Sequence, residues 1–335
     1  MEIVSRVHAR NLVAWAKDRS EVLVLSADLT SSTEADLFRD TYPDRFYSMG
    51  MAEQNMLGFA GGLAREGFLP HVHTFAVFLY RRAYDQLCNS IAYPNLRVRL
   101  FGFLPGITTP GGATHQAIED IGVLRVLPNM TVVEVGDATD VETVLDAIHP
   151  VAGPVYVRML RGEIPRLFHR SEPLRLGQAR VLSTGGDLAL LTSGICTEEA
   201  MRATAVLRQR GVALSHLHVS TLKPFTDQTV LGAAAQARYG VLTLENHTIL
   251  GGLGTATAEM LAEAGLGKRL MRLGLRDQFS HGASRPYLMR EHGLDALALV
   301  QAVEQMLGAR LDVKEADLAA VRLDAVHSAA KAEAL

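Results

Sequence analysis

Short apolar runs recur along this chain of 335 residues, and a helical pattern follows most of them. In the first half, the runs predicted to be strands lie at residues 22–26, 69–74, 98–102, 131–135 and 155–158. The helical patterns lie near residues 6–17, 52–66, 76–92, 117–127 and 140–148. Because these runs are apolar without clear alternation, each strand is expected to be covered on both faces. The sequence therefore predicts an α/β fold in which a mostly parallel sheet lies between layers of helices.

A change of composition after Arg161 divides the chain into two blocks. Glycines and prolines interrupt the charged stretch that ends at Ser183, which is typical of a linker. Strand runs then resume at residues 188–192, 214–218, 240–244 and 270–273.

We therefore predict two α/β domains, each a mostly parallel sheet with helices on both faces, at residues 1–165 and 184–308. Residues 166–183 are predicted to form the linker. Residues 309–335 are rich in Ala, Lys, Asp and Glu and are predicted to form an exposed helix or a frayed tail.

The composition argues against several functional classes. The formal net charge is −3 and no long basic run occurs, which argues against binding to nucleic acid or to a membrane surface. No apolar run approaches the roughly 18 residues of a membrane span, and the N-terminus lacks a signal-peptide pattern. Cys88 and Cys196 are far apart, which argues against a disulfide framework or a thiolate metal site. These features predict a cytoplasmic enzyme, or enzyme subunit, with no metal site of its own.

The segment 50–64 places one carboxylate, Glu53, at the start of a helix whose neighbouring residues are mostly small or apolar. Such a helix has almost no polar face and is predicted to be buried. A buried carboxylate without a partner is costly. Gly58, Gly61 and Gly62 each weaken the helix by about 1 kcal/mol relative to alanine, a cost that usually serves close packing. Glu53 is therefore predicted to have a chemical role.

This segment resembles the pyrimidine-domain signature of the transketolase family of thiamine diphosphate enzymes. In that family the matching glutamate hydrogen-bonds a ring nitrogen of the coenzyme's aminopyrimidine and favours the imino form that deprotonates the thiazolium carbon. The resemblance implies that Glu53 is catalytic and binds the cofactor, thiamine diphosphate. An apolar surrounding would favour a protonated, donating carboxyl. The resemblance extends from about residue 3 to about residue 305.

Two further segments resemble the family's coenzyme and phosphate sites. Phe75 and Phe78 match the aromatic wall around the pyrimidine, and Arg81 occupies the position where a third aromatic residue is expected. Ser32 ends a segment after the first strand that resembles one whose final serine helps to hold substrate phosphate. From the residues alone, the two phenylalanines also fit ordinary core packing, and residues 28–32 fit a turn or a helix cap.

The segment 112–120 resembles the Thr-His-Gln that opens a helix after a glycine-rich loop in transketolases and deoxyxylulose-phosphate synthases. The resemblance implies that His115 is catalytic, contacts substrate oxygens and moves protons near neutral pH. Arg161 lies where the family places a phosphate-binding arginine, a role that suits the two parallel donors of a guanidinium. The alternatives are a histidine that caps the following helix and an exposed linker arginine.

Two substrate-binding positions depart from the family pattern. Phe103 stands where ordinary transketolases carry a histidine, and Gly111 stands where they carry an aspartate. Both family residues contact hydroxyls of the ketose donor. Since a site without such partners discriminates poorly for a hydroxyl, the donor is predicted to differ from ordinary sugar phosphates, or to be recognised elsewhere.

One half of the family's coenzyme site is missing. Transketolases bind the diphosphate through Mg²⁺ with a Gly-Asp-Gly motif and a downstream Asn, and no Gly-Asp-Gly occurs in this chain. The resemblance therefore implies a split enzyme, in which an N-terminal transketolase subunit holds the diphosphate and the metal. An α2β2 heterotetramer is expected.

The second domain contains the segment 244–247 followed by glycines at 251, 252 and 254. A glycine pair between a strand and a helix suggests a dinucleotide site, but the full fingerprint is absent. The segment more closely resembles the transketolase C-terminal domain, where the glycines pack a helix.

The leading prediction is the C-terminal subunit of a split transketolase-like enzyme that moves a two-carbon ketol group from a ketose to an aldehyde acceptor. One alternative is decarboxylating carboligation from a 2-oxoacid, as in deoxyxylulose-phosphate synthase. The other is a non-catalytic scaffold, against which the retention of Glu53 argues.

Overall fold

The computed structural model describes residues 2–321 and 323. Its fourteen strands are β1 Ile3–Ser5, β2 Val22–Ser26, β3 Phe46–Ser48, β4 Leu69–Phe75, β5 Arg99–Phe103, β6 Thr131–Glu134, β7 Val155–Met159, β8 Glu163–Pro165, β9 Arg180–Ser183, β10 Leu188–Thr192, β11 Leu214–His218, β12 Thr221–Lys223, β13 Val241–Thr248 and β14 Leu270–Leu275.

The thirteen α-helices of the described residues are α1 Val7–Trp15, α2 Asp36–Thr41, α3 Glu53–Arg65, α4 Ala76–Arg81, α5 Tyr84–Gln86, α6 Asp120–Arg125, α7 Ala138–Ile148, α8 Cys196–Gln209, α9 Gln228–Gln236, α10 Leu253–Glu263, α11 Arg285–Glu291, α12 Ala296–Leu307 and α13 Glu315–Ala320. A π-helix, Leu87–Ala92, follows α5, and a 3₁₀-helix spans Pro43–Arg45. The predicted tail contains α13; beyond residue 321 it lies outside the described residues, except for residue 323.

Two mostly parallel sheets confirm the predicted α/β fold. The first has seven strands in the order β12-β6-β7-β5-β4-β2-β3, all parallel except β12, which pairs antiparallel with β6. The second has five strands in the order β14-β13-β10-β11-β9, with β9 antiparallel at one edge. A short antiparallel pair, β1 and β8, lies apart from both sheets.

The two sheets are linked by the course of the chain and by shared packing. β12 follows β11 of the second sheet in the chain but extends the edge of the first sheet. Leu191 and Leu217 of the second sheet belong to the same apolar core as the strands of the first. Conversely, Ile107 and Ile118 of the first block lie in the second core, against α8 and α12. The junction is therefore a packed interior.

The structure corrects two predicted helices and the predicted complete burial of α3. The pattern at 76–92 is broken into α4, α5 and the π-helix, and the helix predicted at 117–127 is only Asp120–Arg125. Helix α3 also has an exposed face that includes Phe59, 40% exposed. Of its glycines, Gly61 does serve close packing, since an added Cβ would lie 2.5 Å from the carbonyl oxygen of Ser90.

None of the helices in the described part of the chain has the length and apolarity that a bilayer span requires.

Candidate active site

Glu53 is buried at the first position of α3 and has a cationic partner. Its side chain is 2% exposed, and Nη1 of Arg82 donates a hydrogen bond to its Oε2 at 2.6 Å. The guanidinium of Arg82 also lies 5.2 Å from the ring centre of Phe78. The expectation of a purely apolar surrounding is therefore wrong. The partner comes from the turn after α4, and the sequence pattern did not predict its contribution to the site.

Phe75, Phe78 and His115 form one aromatic group. Phe75 ends β4 and Phe78 lies one turn into α4, so their rings stack with centroids 5.9 Å apart and planes inclined by 24°. The His115 ring meets both edge-on, with centroids 6.4 Å from Phe75 and 5.5 Å from Phe78. The structure thus brings the predicted coenzyme wall and the predicted substrate histidine together.

Arg161 joins this group to the segment after the first central strand. Its guanidinium lies 5.9 Å from the ring centre of Phe75, and Nη1 donates to the backbone carbonyl of Ser32 at 3.3 Å. Ser32 and Arg161, predicted separately as phosphate contacts, are therefore neighbours. Their half-buried positions leave part of both side chains accessible.

The other side of Arg161 lines a cavity between the two domains. The cavity has a volume of about 1140 Å³, and Leu104, Arg202 and Arg285 are among its lining residues. The cavity lies between the end of β7 and the start of α8. It leaves room beside Arg161 for a charged group of a substrate.

Arg81 stands where a third aromatic residue was expected, but its contacts are with the loop that carries His115. Nε and Nη2 donate to the two carboxylate oxygens of Glu119 at 2.6 and 2.8 Å. Further donors reach the carbonyl oxygens of Ala113 at 3.0 Å and Gln116 at 3.2 Å. These bonds hold the loop against α4.

His115 lies in a loop and does not cap a helix. Helix α6 begins at Asp120, five positions later, with Glu119 as its N-cap. The Nδ1 atom of His115 lies 2.9 Å from Oγ1 of Thr114. A Cβ added to Gly111 would lie 2.8 Å from the Cβ of His115, so the absence of a side chain at 111 allows this placement.

Phe103 lies in the packed interior, away from the accessible surface of the site. It is fully buried, with its ring centre 5.6 Å from that of His8 and 6.0 Å from that of His73. This geometry gives no support to a direct substrate contact by Phe103.

A buried histidine cluster, which was not predicted from the sequence, lies beneath this part of the sheet. His8 and His73 approach with their Nε2 atoms 2.9 Å apart, and His71 packs between the rings of Trp15 and Phe101. Burial lowers the pKa of His73 from 6.5 to about 4 and those of His8 and His71 well below 6.5. The available signal was the occurrence of two histidines, two positions apart, within an otherwise apolar strand.

A buried ion network lies in the first domain, beside the junction with the second. Arg158 donates from Nε to Asp120 at 2.8 Å and from Nη1 to Glu134, and all three side chains are at most 2% exposed. The hydroxyl of Tyr156 donates to the same Asp120 oxygen at 2.6 Å. Burial opposes the charge of Arg158, but the two carboxylates outweigh it and raise its pKa. The sequence signal for this network was the presence of a charged residue, Glu134 or Arg158, inside each of the otherwise apolar strands β6 and β7.

The glycine loop of the second domain packs a helix. The carboxyl of Glu245 accepts hydrogen bonds from the backbone N–H of Leu253 at 2.6 Å and of Gly254 at 2.8 Å, at the start of α10. A side chain on Gly252 would collide with Glu245. The helix N-terminus that a dinucleotide phosphate would need is therefore filled by this chain's own carboxyl. Burial raises the pKa of Glu245 to about 8.

No group of three or more His, Cys, Asp or Glu side chains placed to hold a metal ion occurs among residues 2–321 and 323. Near Glu53 the structure instead places the guanidinium of Arg82, which also contacts the ring of Phe78 in the Phe75–Phe78 stack. A polar group beside flat apolar rings is a lining that suits a heteroaromatic ligand.

Comparison with known proteins agrees with this geometry. Residues 4–166 match the family described as "Transketolase, pyrimidine binding domain", and residues 177–299 match "Transketolase, C-terminal domain". A transketolase family protein of Sinorhizobium fredii is 40% identical over 90% of this chain and 87% of its own length. The 6-deoxy-6-sulfo-D-fructose transketolase subunit SqwH of a Clostridium species is 37% identical over 88% of this chain and 91% of its own length.

Among solved structures, one described as "Split gene transketolase, inactive beta4 tetramer" superposes with a TM-score of 0.81 at 35% identity. It covers 90% of this chain and 97% of the other.

The fold and the two matched families define a two-domain α/β subunit with a transketolase pyrimidine-binding domain. The chain belongs to the transketolase family, and its two domains correspond to those of a split transketolase subunit. Family membership implies dependence on thiamine diphosphate and places the chain among the transferases. The names of the split relatives, which are subunits, imply a partner subunit.

Proposed function

We propose that this chain, together with a partner subunit, transfers a two-carbon ketol group from a ketose to an aldehyde acceptor. The observation that carries this proposal is the grouping of Phe75, Phe78 and His115 at the end of β4, with the buried carboxyl of Glu53 linked to Phe78 through Arg82. It combines a buried acid, an aromatic surface and a histidine able to exchange protons, which is what ketol transfer requires of this half of the site.

The residues present fit the aminopyrimidine of thiamine diphosphate. A buried carboxyl at Glu53 suits a hydrogen bond with a ring nitrogen, and the faces of Phe75 and Phe78 suit contact with a flat heterocycle. When bound, the coenzyme supplies the carbon nucleophile that carries the two-carbon unit. Glu53 would hold a proton at the pyrimidine, and His115 would exchange protons with substrate oxygens.

The partner is proposed to hold the diphosphate and Mg²⁺. This chain has no Gly-Asp-Gly; the nearest matches, at 136–138 and 186–188, lack the second glycine. The solved split transketolase is described as inactive in its beta4 form, which supports the need for a second type of subunit. We therefore propose an α2β2 heterotetramer with an N-terminal transketolase subunit that carries the motif.

Ser32 and Arg161 are proposed to bind a substrate phosphate, because the two residues are neighbours and Arg161 faces the domain cavity. Gly111 removes the aspartate that contacts a donor hydroxyl in ordinary transketolases, so a donor other than the usual sugar phosphates is proposed. The matched SqwH subunit is named for a sulfosugar, which supports a variable donor in this group.

We further propose that the pyrimidine-binding domain is 1–165 and the C-terminal domain 184–308, joined by 166–183. Both cysteines are free, which suits the reducing cytoplasm. The activity belongs to carbohydrate metabolism.

The test is reconstitution with a partner subunit that carries Gly-Asp-Gly, followed by assays with a panel of ketose donors. Glu53→Gln should lower kcat by about 10²- to 10⁴-fold, the range for loss of a proton-transferring group. The matched control is Glu66→Gln, at the exposed C-terminal end of the same helix, which should leave kcat unchanged.

Unchanged turnover in Glu53→Gln would remove Glu53 from the mechanism and favour a scaffold. Release of CO₂ from pyruvate, with no ketol transfer from any ketose, would replace the proposal with decarboxylating carboligation. Full turnover by this chain without a partner would contradict the split site.

A further inference from the structure

We propose that Asn246 of the second domain is a positioning residue that fixes the loop 104–118 and, through it, the place of His115. This inference rests on the proposed function. It gives the second domain a direct influence on the substrate end of the site, beyond packing.

The side chain of Asn246 forms two hydrogen bonds with the backbone of the loop. It lies in β13 and is 1% exposed. Its Nδ2 donates to the carbonyl oxygen of Pro105 at 3.0 Å, and its Oδ1 accepts from the backbone N–H of Ile107 at 2.9 Å. Gly106, between them, has φ +58°, and any side chain there would collide with the amide of Asn246. One amide group thus satisfies both backbone groups of a turn that only glycine can form at this contact.

Neighbouring bonds fasten the end of the same loop to the second domain. The backbone N–H of Thr248 donates to the carbonyl of Ile118 at 2.7 Å. Nη2 of Arg158 donates to the carbonyls of both Ala117 and Asn246, at 3.0 and 3.1 Å. A buried guanidinium therefore ties the loop and the strand of Asn246 together.

The middle of the loop is held by a second contact. Nε2 of Gln116 bridges the carbonyl oxygens of Thr109 and His281, at 3.2 Å each. Gly112 packs against Gly282, with 3.3 Å from an added Cβ to the Gly282 nitrogen. The second domain therefore contacts the loop on both sides of His115 in sequence.

His115 itself has few bonds that set its place independently of the loop. Its side chain hydrogen-bonds the adjacent Thr114, and its ring meets those of Phe75 and Phe78 edge-on. Its position thus follows the loop backbone. A shift of about 1 Å in a reacting group can cost about 100-fold in rate, so loosening the turn at Gly106 should be visible in turnover.

The experiment uses the reconstituted complex with Asn246→Ala and Asn246→Asp. Asparagine and aspartate have the same size, but aspartate loses the donor to Pro105 while keeping the acceptor for Ile107. Both variants should lower kcat about 10-fold or more, while the Kd of thiamine diphosphate changes less than about 2-fold because Glu53, Phe75 and Phe78 are untouched. The matched control is Thr257→Val, a fully buried second-domain residue whose hydroxyl bonds only within α10.

The decisive readout is a double-mutant cycle with His115→Ala. If Asn246 acts through His115, the replacement of Asn246 should cost little more once His115 is gone. An equal loss in both backgrounds, or no loss in either, overturns the proposal.

Hydrogen exchange in the chain without its partner provides a readout independent of activity and of the reaction assigned. The Ile107 amide should exchange at least about 10-fold faster in both Asn246 variants, with no change in Thr257→Val. Failure of the complex to transfer any ketol group would defeat the proposed function but leave this readout intact. An unchanged Ile107 amide would defeat the positioning role itself.

Discussion

Arg82 donates from Nη1 to Oε2 of Glu53 at 2.6 Å, so the carboxyl that we propose to bind the aminopyrimidine already has a cationic partner in this chain. Arg82 is 47% exposed, whereas Glu53 is buried, so the arginine is the member of the pair that is free to move. Binding of the pyrimidine at Glu53 therefore competes with this ion pair.

We predict that Arg82→Gln increases the affinity of the reconstituted complex for thiamine diphosphate by about 2- to 5-fold, since a partly exposed ion pair is worth up to about 1 kcal/mol. Calorimetric titration of the coenzyme measures this. Arg39→Gln is a matched control, because Arg39 is also 47% exposed and pairs with Asp40, outside the site. Weaker binding in Arg82→Gln would show that Arg82 belongs to the coenzyme site.

Gly111 and His115 are too close to accept a side chain at 111, with 2.8 Å from an added Cβ to that of His115. Restoring the family's aspartate by Gly111→Asp should therefore displace His115 and lower kcat/KM about 10-fold or more for every donor. Gly111 is not in the left-handed region, so the collision alone is tested. Gly267→Asp, where an added Cβ meets open space, is the control. A gain in kcat/KM for an ordinary sugar phosphate would contradict the displacement.

Arg158 forms ion pairs with two buried carboxylates, and its removal should leave both without a cationic partner. We expect Arg158→Met to lower the free energy of unfolding by about 3–5 kcal/mol, measured by urea denaturation. Arg170→Met removes an ion pair of Arg170, 62% exposed, with Glu2 and should cost at most about 1 kcal/mol. Equal losses in the two variants would mean that the buried network contributes no more than a surface pair.

The buried histidines predict acid sensitivity. Burial keeps His73 neutral in the folded protein by lowering its pKa from 6.5 to about 4, and it lowers the pKa values of His8 and His71 well below 6.5. In the unfolded chain each should take up a proton near its ordinary pKa of about 6.5. Their contribution to stability is therefore fully present above pH 6.5 and is lost as the pH falls from about 6.5 toward about 4, at about 1.4 kcal/mol per pH unit for each histidine.

Urea denaturation between about pH 7 and about pH 5 should show this loss, with a smaller slope in His71→Phe. Neither ring nitrogen of His71 has a hydrogen-bond partner among the described residues, so phenylalanine removes a titrating group without breaking a bond. The exposed His169, replaced by glutamine, should leave the slope unchanged. An identical slope in His71→Phe would show that His71 does not contribute.

The local pattern of apolar residues was sufficient to predict the main strands of this protein. The predicted runs at 22–26, 188–192 and 214–218 coincide with Val22–Ser26, Leu188–Thr192 and Leu214–His218. A strand covered on both faces tends to be apolar on both faces instead of alternating, and that tendency is visible in single runs such as 22–26 and 188–192. The burial of Glu53 was likewise predicted from its neighbours in one helix.

Only the tertiary structure decided how distant segments meet. The strand Thr221–Lys223 extends the edge of the first sheet, Arg82 reaches Glu53, and Asn246 fills the turn at Gly106. Each of these contacts joins groups whose separation in sequence bears no relation to the period of a helix or a strand. Periodicity reports which side of an element faces the interior, but it carries no information on which other element lies there. The sequence by itself therefore determined the layered α/β fold and the buried carboxyl of Glu53. Tertiary packing determined the Arg82 partner of that carboxyl within the first domain, and the contacts of the His115 loop with the second domain.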